Sequence, residues 1–346
     1  MARTILGVDI GQDQLKLALV SGSQVKKIAI AAMPERLLHN GRIVSVETMG
    51  ELIRDTMRKE HIRAAAAAVV LTGENVYVRN VTMPVMTAKQ LDYNLPFEFR
   101  DYITGELKDF RFDYAMYDAP AALLQPAAVP EAAPDAGPDA APGVYPDQSM
   151  NLLAVALPAE QVEENRAALR KAGLKMVKAA PGVCAWAALL AGQPQEQEYC
   201  ILDLGYTAIR LYVLRGSRHI VTRVLEQGLS ALDQSIADAN NVDIHLAHTY
   251  LLANHEDCQN SEACLAPINA IAVELMRALN FYRFSNPDSN PAGMWLCGGG
   301  ARIAALKNSI AGTLDLPVHL ADELVPGGSG IEDCATLAQA IGITQN

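Results

Sequence analysis

Two segments of this chain end an apolar run with a carboxylate two residues ahead of a glycine: Asp9 and Gly11 in GVDIGQDQLKLALV, and Asp203 and Gly205 in ILDLGYTAIRLYVL. A glycine has no Cβ, so the backbone N–H groups that follow can approach an anion closely, while the carboxylate can hold a divalent cation or its waters. A third segment, Met294-Trp295-Leu296-Cys297, runs into Gly298-Gly299-Gly300 and a helical pattern over 301–314. A bare turn at a helix start suits an anion or a nucleotide. Each segment alone reads equally well as a tight turn, because Asp and Gly are ordinary turn residues. Together, with Asp9 and Asp203 facing each other across a cleft, they would hold a triphosphate and Mg²⁺ between them.

The elements that must position these residues occur twice. Apolar runs at 4–8, 15–20 and 25–33 predict three meandering strands, the spacing of Met49, Leu52, Ile53, Thr56 and Met57 predicts a helix, and 65–71 and 76–83 predict two more strands. The second half repeats the order, with strands at 199–204, 209–214 and 220–225 and a helix at 229–240. Laid over one another at Asp9 and Asp203, the two segments align without a gap and match Lys16 to Arg210 and Leu17 to Leu211, which indicates an internal duplication. Between the halves the pattern predicts a helix (87–103), strands (110–117 and 151–157), a helix (160–172) and a strand (174–178), interrupted by an Ala/Pro-rich stretch. Such a composition has little to bury, so a disordered loop is expected over 119–147. The expected division is a first lobe of 1–83 and 179–197, an inserted α/β subdomain of 84–178, and a second lobe of 198–346 with a subdomain at about 230–290.

At 346 residues, with 50% hydrophobic and 19% charged side chains, the chain can bury about two cores. Its 28 Lys and Arg against 39 Asp and Glu leave a net charge of −11, which repels a phosphate backbone and argues against nucleic acid as a partner. The longest uncharged apolar stretch, 179–192, is shorter than the roughly 20 residues that cross a bilayer. Only five uncharged residues separate Arg3 from Asp9, too few for a secretory segment, so a cytoplasmic protein is expected. The six cysteines form no Cys-x-x-Cys pair and read as reduced core thiols rather than a zinc site.

The three segments in this order resemble the actin-like ATPase superfamily, which includes actin, chaperone ATPase domains, sugar kinases and the division protein FtsA. Within it the chain is most similar to the PilM family of type IV pilus assembly. The motifs are GVDIGQDQLKLALV, ILDLGYTAIRLYVL, MWLCGGGARIAALKNSIAGTLDLPV, VVLTGENVYVRNVTMP, LPFEFRDYI and LRKAGLKMVKAAPGVCAWAALL. The resemblance implies a duplicated actin-like (ribonuclease H-like) α/β fold, two lobes with an inserted subdomain of the 1C type. It implies ATP and Mg²⁺ as cofactors, with a first phosphate segment of Asp9, Gly11, Gln12, Gln14 and Lys16, and a second of Asp203, Gly205, Tyr206 and Thr207. Gly298, Gly299, Gly300 and Arg302 would form the adenosine segment, and Asp9 and Asp203 would hold Mg²⁺ through water. As partner it implies the N-terminal cytoplasmic tail of PilN, a membrane protein, which would place the chain at the inner face of the plasma membrane. Other pilus components, or further copies of the chain, are further partners of this kind. The alternatives are a sugar-kinase-type phosphotransferase and an FtsA-like division protein.

The chain departs from the superfamily pattern at the side chains that hold nucleotide. Gln12, Asp13 and Gln14 stand where small hydroxyl residues are usual, and Asp13 would repel phosphate. Tyr206 is bulky, and the Ala-Glu-x-x-Lys helix appears as Ala247-His248-Thr249-Tyr250-Leu251. These departures imply weak ATP binding, at most weak hydrolysis, and no assignable catalytic residue. His245, His248 and His255 share roughly one helix face but no carboxylate completes a metal pattern, so they read as exposed or capped. Phe97, Phe99, Tyr102, Phe110 and Phe112 read as core of the inserted module or as a peptide-binding surface. A peptide-binding surface would lie at 84–103 and on strand 151–157.

Overall fold

The computed structural model describes residues 3–117 and 145–345. The loop expected over 119–147 lies outside the described residues except for 145–147.

Strands β1 (Thr4–Ile10), β2 (Gln14–Ser21) and β3 (Gln24–Ala32) form the expected antiparallel meander. The short hairpin of β4 (Leu38–His39) and β5 (Arg42–Ile43) leads to α1 (Val46–Lys59), whose Ser45 hydroxyl accepts from the Thr48 N–H and whose Met49, Ile53 and Met57 are buried. Strand β6 (Ala66–Leu71) returns parallel to β1. The chain continues through β7 (Tyr77–Val85), α2 (Ala88–Asn94), β8 (Phe110–Met116), β9 (Tyr145–Pro158), α3 (Ala159–Lys171) and β10 (Lys175–Pro181). Helix α4 (Gly182–Leu190) leads to the second meander, β11 (Glu198–Leu204), β12 (Ile209–Arg215) and β13 (Arg218–Leu225). Three helices follow, α5 (Ser230–Asn240), α6 (Ile244–Ala253) and α7 (Glu262–Ser285), and then β14 (Pro291–Cys297), α8 (Ala304–Thr313), β15 (Val318–Leu320) and α9 (Cys334–Gly342).

The duplication inferred from sequence is a duplicated sheet. One five-stranded sheet runs β10-β6-β1-β2-β3 and the other β15-β14-β11-β12-β13, with the same parallel and antiparallel senses at each step. The fifth strand of the first sheet is β10, whereas the 76–83 segment expected in the first lobe is β7 of the three-stranded sheet. A parallel neighbour has to arrive by a crossover, and here the crossover is everything between β6 and β10.

The residues divide into two compact units, Met1–Leu71 with Asn165–Asn346, and Thr72–Glu164. The first holds both five-stranded sheets. Its second-half core joins Leu202, Leu211, Ile236, Ile268, Leu275 and Leu296, all completely buried. By length and composition α7 is long and apolar enough to cross a membrane, but Cys264, Ile268, Ile271, Leu275 and Leu279 on it are buried in this core. Helix α9 is buried along its whole length and lies so close to β1 and α4 that a Cβ on Gly7 would sit 1.6 Å from the Ala340 carbonyl oxygen, and one on Gly342 would sit 2.5 Å from that of Ala185.

The second unit is the three-stranded sheet β7-β9-β8, on which Leu91 of α2 and Leu95 and Phe99 of the turn after it pack against Val81, Leu152 and Ala154. The helix expected over 87–103 ends at Asn94 and continues as a 3₁₀ turn, Leu95–Phe99. Pro96 has no N–H for the helical ladder and restricts the residue before it.

Candidate functional site

The site is built within the first unit, from the ends of the two central strands. The β1–β2 turn sets Asp9 opposite Lys16, and the β11–β12 turn sets Asp203 opposite Arg210 in the equivalent register. Lys16 Nζ lies 3.1 Å from Asp9 Oδ2, with both residues buried. Burial works against the ammonium, but Asp9 and then Asp203 favour it, and its pKa lies above the ordinary lysine value. One buried cation therefore sits in the field of both carboxylates.

Asp203 Oδ2 accepts from Gln339 Nε2 of α9 at 2.8 Å. The Cys297 thiol, wholly buried, is pushed well above its ordinary pKa by burial first and by Asp203 next, so it stays protonated. Gly298 has φ +77°, and a Cβ there would meet Asp203 Oδ1 at 2.5 Å and the Leu204 carbonyl oxygen at 2.8 Å, so only glycine fits. At Gly299 an added Cβ would meet nothing nearer than Leu229 Cδ1 at 3.9 Å and Gln14 Oε1 at 4.0 Å. The Gln14 side chain is buried, with an Oε1 that has no partner among the described residues. Residues from all three glycine-containing segments thus meet: Gln14 from the first, Asp203 from the second, Gly298 and Gly299 from the third.

The other expected site residues shape turns or face elsewhere. The Gly11 N–H donates to the Gln14 carbonyl at 2.9 Å. Gly205 and Tyr206 offer their carbonyls to the N–H groups of Leu229 and Ser230, which ties this loop to the start of α5. Gln12 is exposed and its amide donates to the Leu38 carbonyl at 3.3 Å. Thr207 is exposed. Gly300 packs its backbone onto Leu204 and Leu229, and Arg302 pairs with Asp333 at 3.2 Å.

Near the first-segment turn, His248 of α6 lies between two acids. Its Nδ1 is 2.8 Å from Asp233 Oδ2 and its Nε2 is 3.5 Å from Asp13 Oδ2. The Tyr206 ring meets the imidazole edge-on at 5.9 Å, and its hydroxyl pKa is raised by burial and by Asp233. His245 Nε2 reaches Glu35 Oε1 at 2.5 Å, whereas His255 stacks on Tyr250 at 4.5 Å. The three histidines do not converge, and no group of three metal-ligating side chains occurs among the described residues.

Sequence reasoning missed Gln339 and Asp233, and read Asp13 as an unpaired repulsive charge. A weak signal existed for two of these. Gln339 is a long polar side chain in the apolar run CATLAQAIG, and Asp233 is the charged member of a helix face otherwise made of Leu232, Ile236 and Ala237.

The phosphate end of this arrangement fits a Mg²⁺-bound polyphosphate. Lys16, although paired with Asp9, would supply a cation beside the phosphates, the glycine backbone is open at Gly299, and the orphaned Gln14 oxygen would accept from a metal-bound water. The nucleoside end does not fit by charged side chains, since Arg302 and His248 are both paired within the protein.

In a structure of the PilM–PilN type IV pilus biogenesis complex, one chain is 23% identical to this one over 98% of this chain and 97% of its own length, with a TM-score of 0.78. The ethanolamine utilization protein EutJ from Carboxydothermus hydrogenoformans matches at 13% identity over 98% of this chain and 88% of its own, with a TM-score of 0.59. MreB5 of Spiroplasma citri, solved bound to ADP, matches at 13% identity over 99% and 95%, with a TM-score of 0.52. No curated protein matches the chain. The likenesses show the fold to be actin-like, with its two mixed five-stranded sheets. The family model for type IV pilus assembly protein PilM matches residues 7–126 and 141–326, and the chain belongs to that family.

Proposed function

We propose that this protein is a cytoplasmic, actin-like scaffold of type IV pilus assembly that binds the N-terminal cytoplasmic tail of a PilN-like inner-membrane protein and carries ATP with Mg²⁺ weakly in its cleft. On this reading the Thr72–Glu164 unit is the counterpart of the inserted 1C-type subdomain and the membrane is met only through the partner. The observation that carries the tail-binding part is a row of aromatics left outside that unit's core. Tyr93, Phe97 and Tyr102 are 72%, 45% and 51% exposed, although Phe99 beside them is wholly buried. Tyr93 and Phe97 meet edge-on at 5.7 Å, Arg100 lies over Phe97, and Arg79 lies 3.8 Å from the Tyr102 ring centroid. Rigid aromatics flanked by guanidinium groups suit an extended peptide with apolar and acidic side chains.

Of the two places that sequence singled out, the 84–103 stretch supplies this row. Strand β9 is the central strand of its sheet, and among the described residues β7 and β8 are its edge strands. For nucleotide, Asp9, Asp203 and Lys16 would hold Mg²⁺ and phosphates, and the Gly298–Gly300 turn would take the adenosine side. Titration calorimetry with a PilN-type tail peptide, with and without ATP and Mg²⁺, tests the reading. Binding that weakens about tenfold in Phe97→Ser and Tyr93→Ser supports it. Absence of tail binding in every condition removes the scaffold assignment, and absence of an ATP signal alone removes only the cofactor.

A further inference from the structure

Two side chains of α6, one helical turn apart, reach from the second half of the first unit to acids of the first half: His245 to Glu35 and His248 to Asp13. We infer that the His245–Glu35 and His248–Asp13 contacts form a clasp that holds the loops carrying Asp13 and Glu35 against α6, and that its hold depends on the charge of His248.

The two receiving loops are hydrogen-bonded to one another. The Gln12 amide donates to the Leu38 carbonyl and the Met33 N–H donates to the Asp13 carbonyl at 2.8 Å, which couples the turn after β1 to the segment between β3 and β4. The donor helix is anchored too. Asp233 of α5 is completely buried, its Oδ2 binds His248 Nδ1, and its Oδ1 has no partner among the described residues. A buried carboxylate with that surrounding favours a charged imidazole.

The groups facing His248 are Asp233 from α5, Asp13 from the turn after β1 and Tyr206 from the loop after β11, with Lys16 of β2 acting on Asp13. Those at His245 are Glu35 and, on its own helix, Asp243, whose carboxylate accepts the His245 backbone N–H. The bond to Asp233, opposed by burial and helped by the charges of Asp233 and Asp13, holds the His248 pKa above the ordinary imidazole value. Burial raises that of Asp13 above the usual carboxylate range, with His248 opposing. The clasp is therefore closed between those two values. It opens upward when His248 loses its proton and downward when Asp13 gains one.

Hydrogen exchange on the full chain, with rates corrected for the intrinsic effect of pH, reads the clasp directly and needs neither nucleotide nor peptide. Amide protection over residues 11–14 and 33–37 is expected to fall about 3- to 10-fold between about pH 6 and about pH 8.5, the range that one exposed and one partly exposed ion pair provide. H245K/H248K should keep its protection at the higher pH, and D13N/E35Q should lack it at both. Wild-type protection that stays constant across this range, or a drop of equal size in H245K/H248K, would overturn the inference. Unchanged protection of β11 identifies variants that remain folded, and where the Asn/Gln pair fails that control, the wild-type and lysine profiles decide.

Discussion

The Gln339 amide donates to Asp203 across 136 residues of sequence, joining the last helix to the end of the second central strand. Both residues are more than nine-tenths buried, so removing the donor leaves the Asp203 Oδ2 without its hydrogen bond. Gln339→Leu should cost about 1.5–3 kcal/mol in urea denaturation. Gln339→Glu should be less stable still near neutral pH and regain stability on acidification, as one proton becomes shared between the two carboxylates.

Lys16 and Asp9 form a second buried polar contact at the site. Lys16→Met would strand a charged Asp9 and is expected to cost about 3–5 kcal/mol. The Lys16→Met/Asp9→Asn double variant should recover a large part of that loss, and a double-mutant cycle measures the coupling.

Close backbone packing makes Gly7 intolerant of any side chain. A Cβ there would lie 1.6 Å from the Ala340 carbonyl oxygen, a main-chain atom of a buried helix that cannot swing aside. Gly7→Ala should cost more than about 3 kcal/mol and reduce soluble expression. Gly105→Ala, where an added Cβ meets nothing within 4 Å, is the matched control and should be near neutral by circular dichroism and thermal melting.

His219 on β13 is buried and its pKa is lowered to about 4 by that burial. The folded state disfavours the charged form, so its stabilising contribution is whole above the ordinary value of 6.5 and is lost as pH falls towards about 4. At about 1.4 kcal/mol per pH unit the loss approaches about 3 kcal/mol. His219→Gln should flatten the stability profile over that window while leaving it unchanged above pH 7, which urea titrations at stepped pH will show.

How much of this was legible in the sequence follows from the range of each contact. The Asp9–Lys16 pairing was accessible because a two-strand meander with a tight turn puts those positions opposite one another whatever the rest of the chain does. The same holds for Asp203 and Arg210, which is why the duplication could be read from two short segments. Sequence put 76–83 in the first lobe because the strand follows β6 directly, yet β7 pairs with β9 and β10 is the strand that pairs with β6. Exposure was equally hidden. Phe97 and Phe99 look alike in LPFEFRDYI, but a 3₁₀ turn after Pro96 sends one outward and the other into the core.

By itself the sequence determined the local elements, the twin strand–turn–strand units with their carboxylates and glycines, and through them an actin-like family fold, because strand period, turn chemistry and hairpin register act over a few residues. Only the tertiary structure decided that Asp203 is held by Gln339, that Asp13 has His248 within 3.5 Å, and that β10 completes the first sheet. Those contacts depend on how distant segments pack, and the burial that gives them their strength exists only once the whole unit has closed.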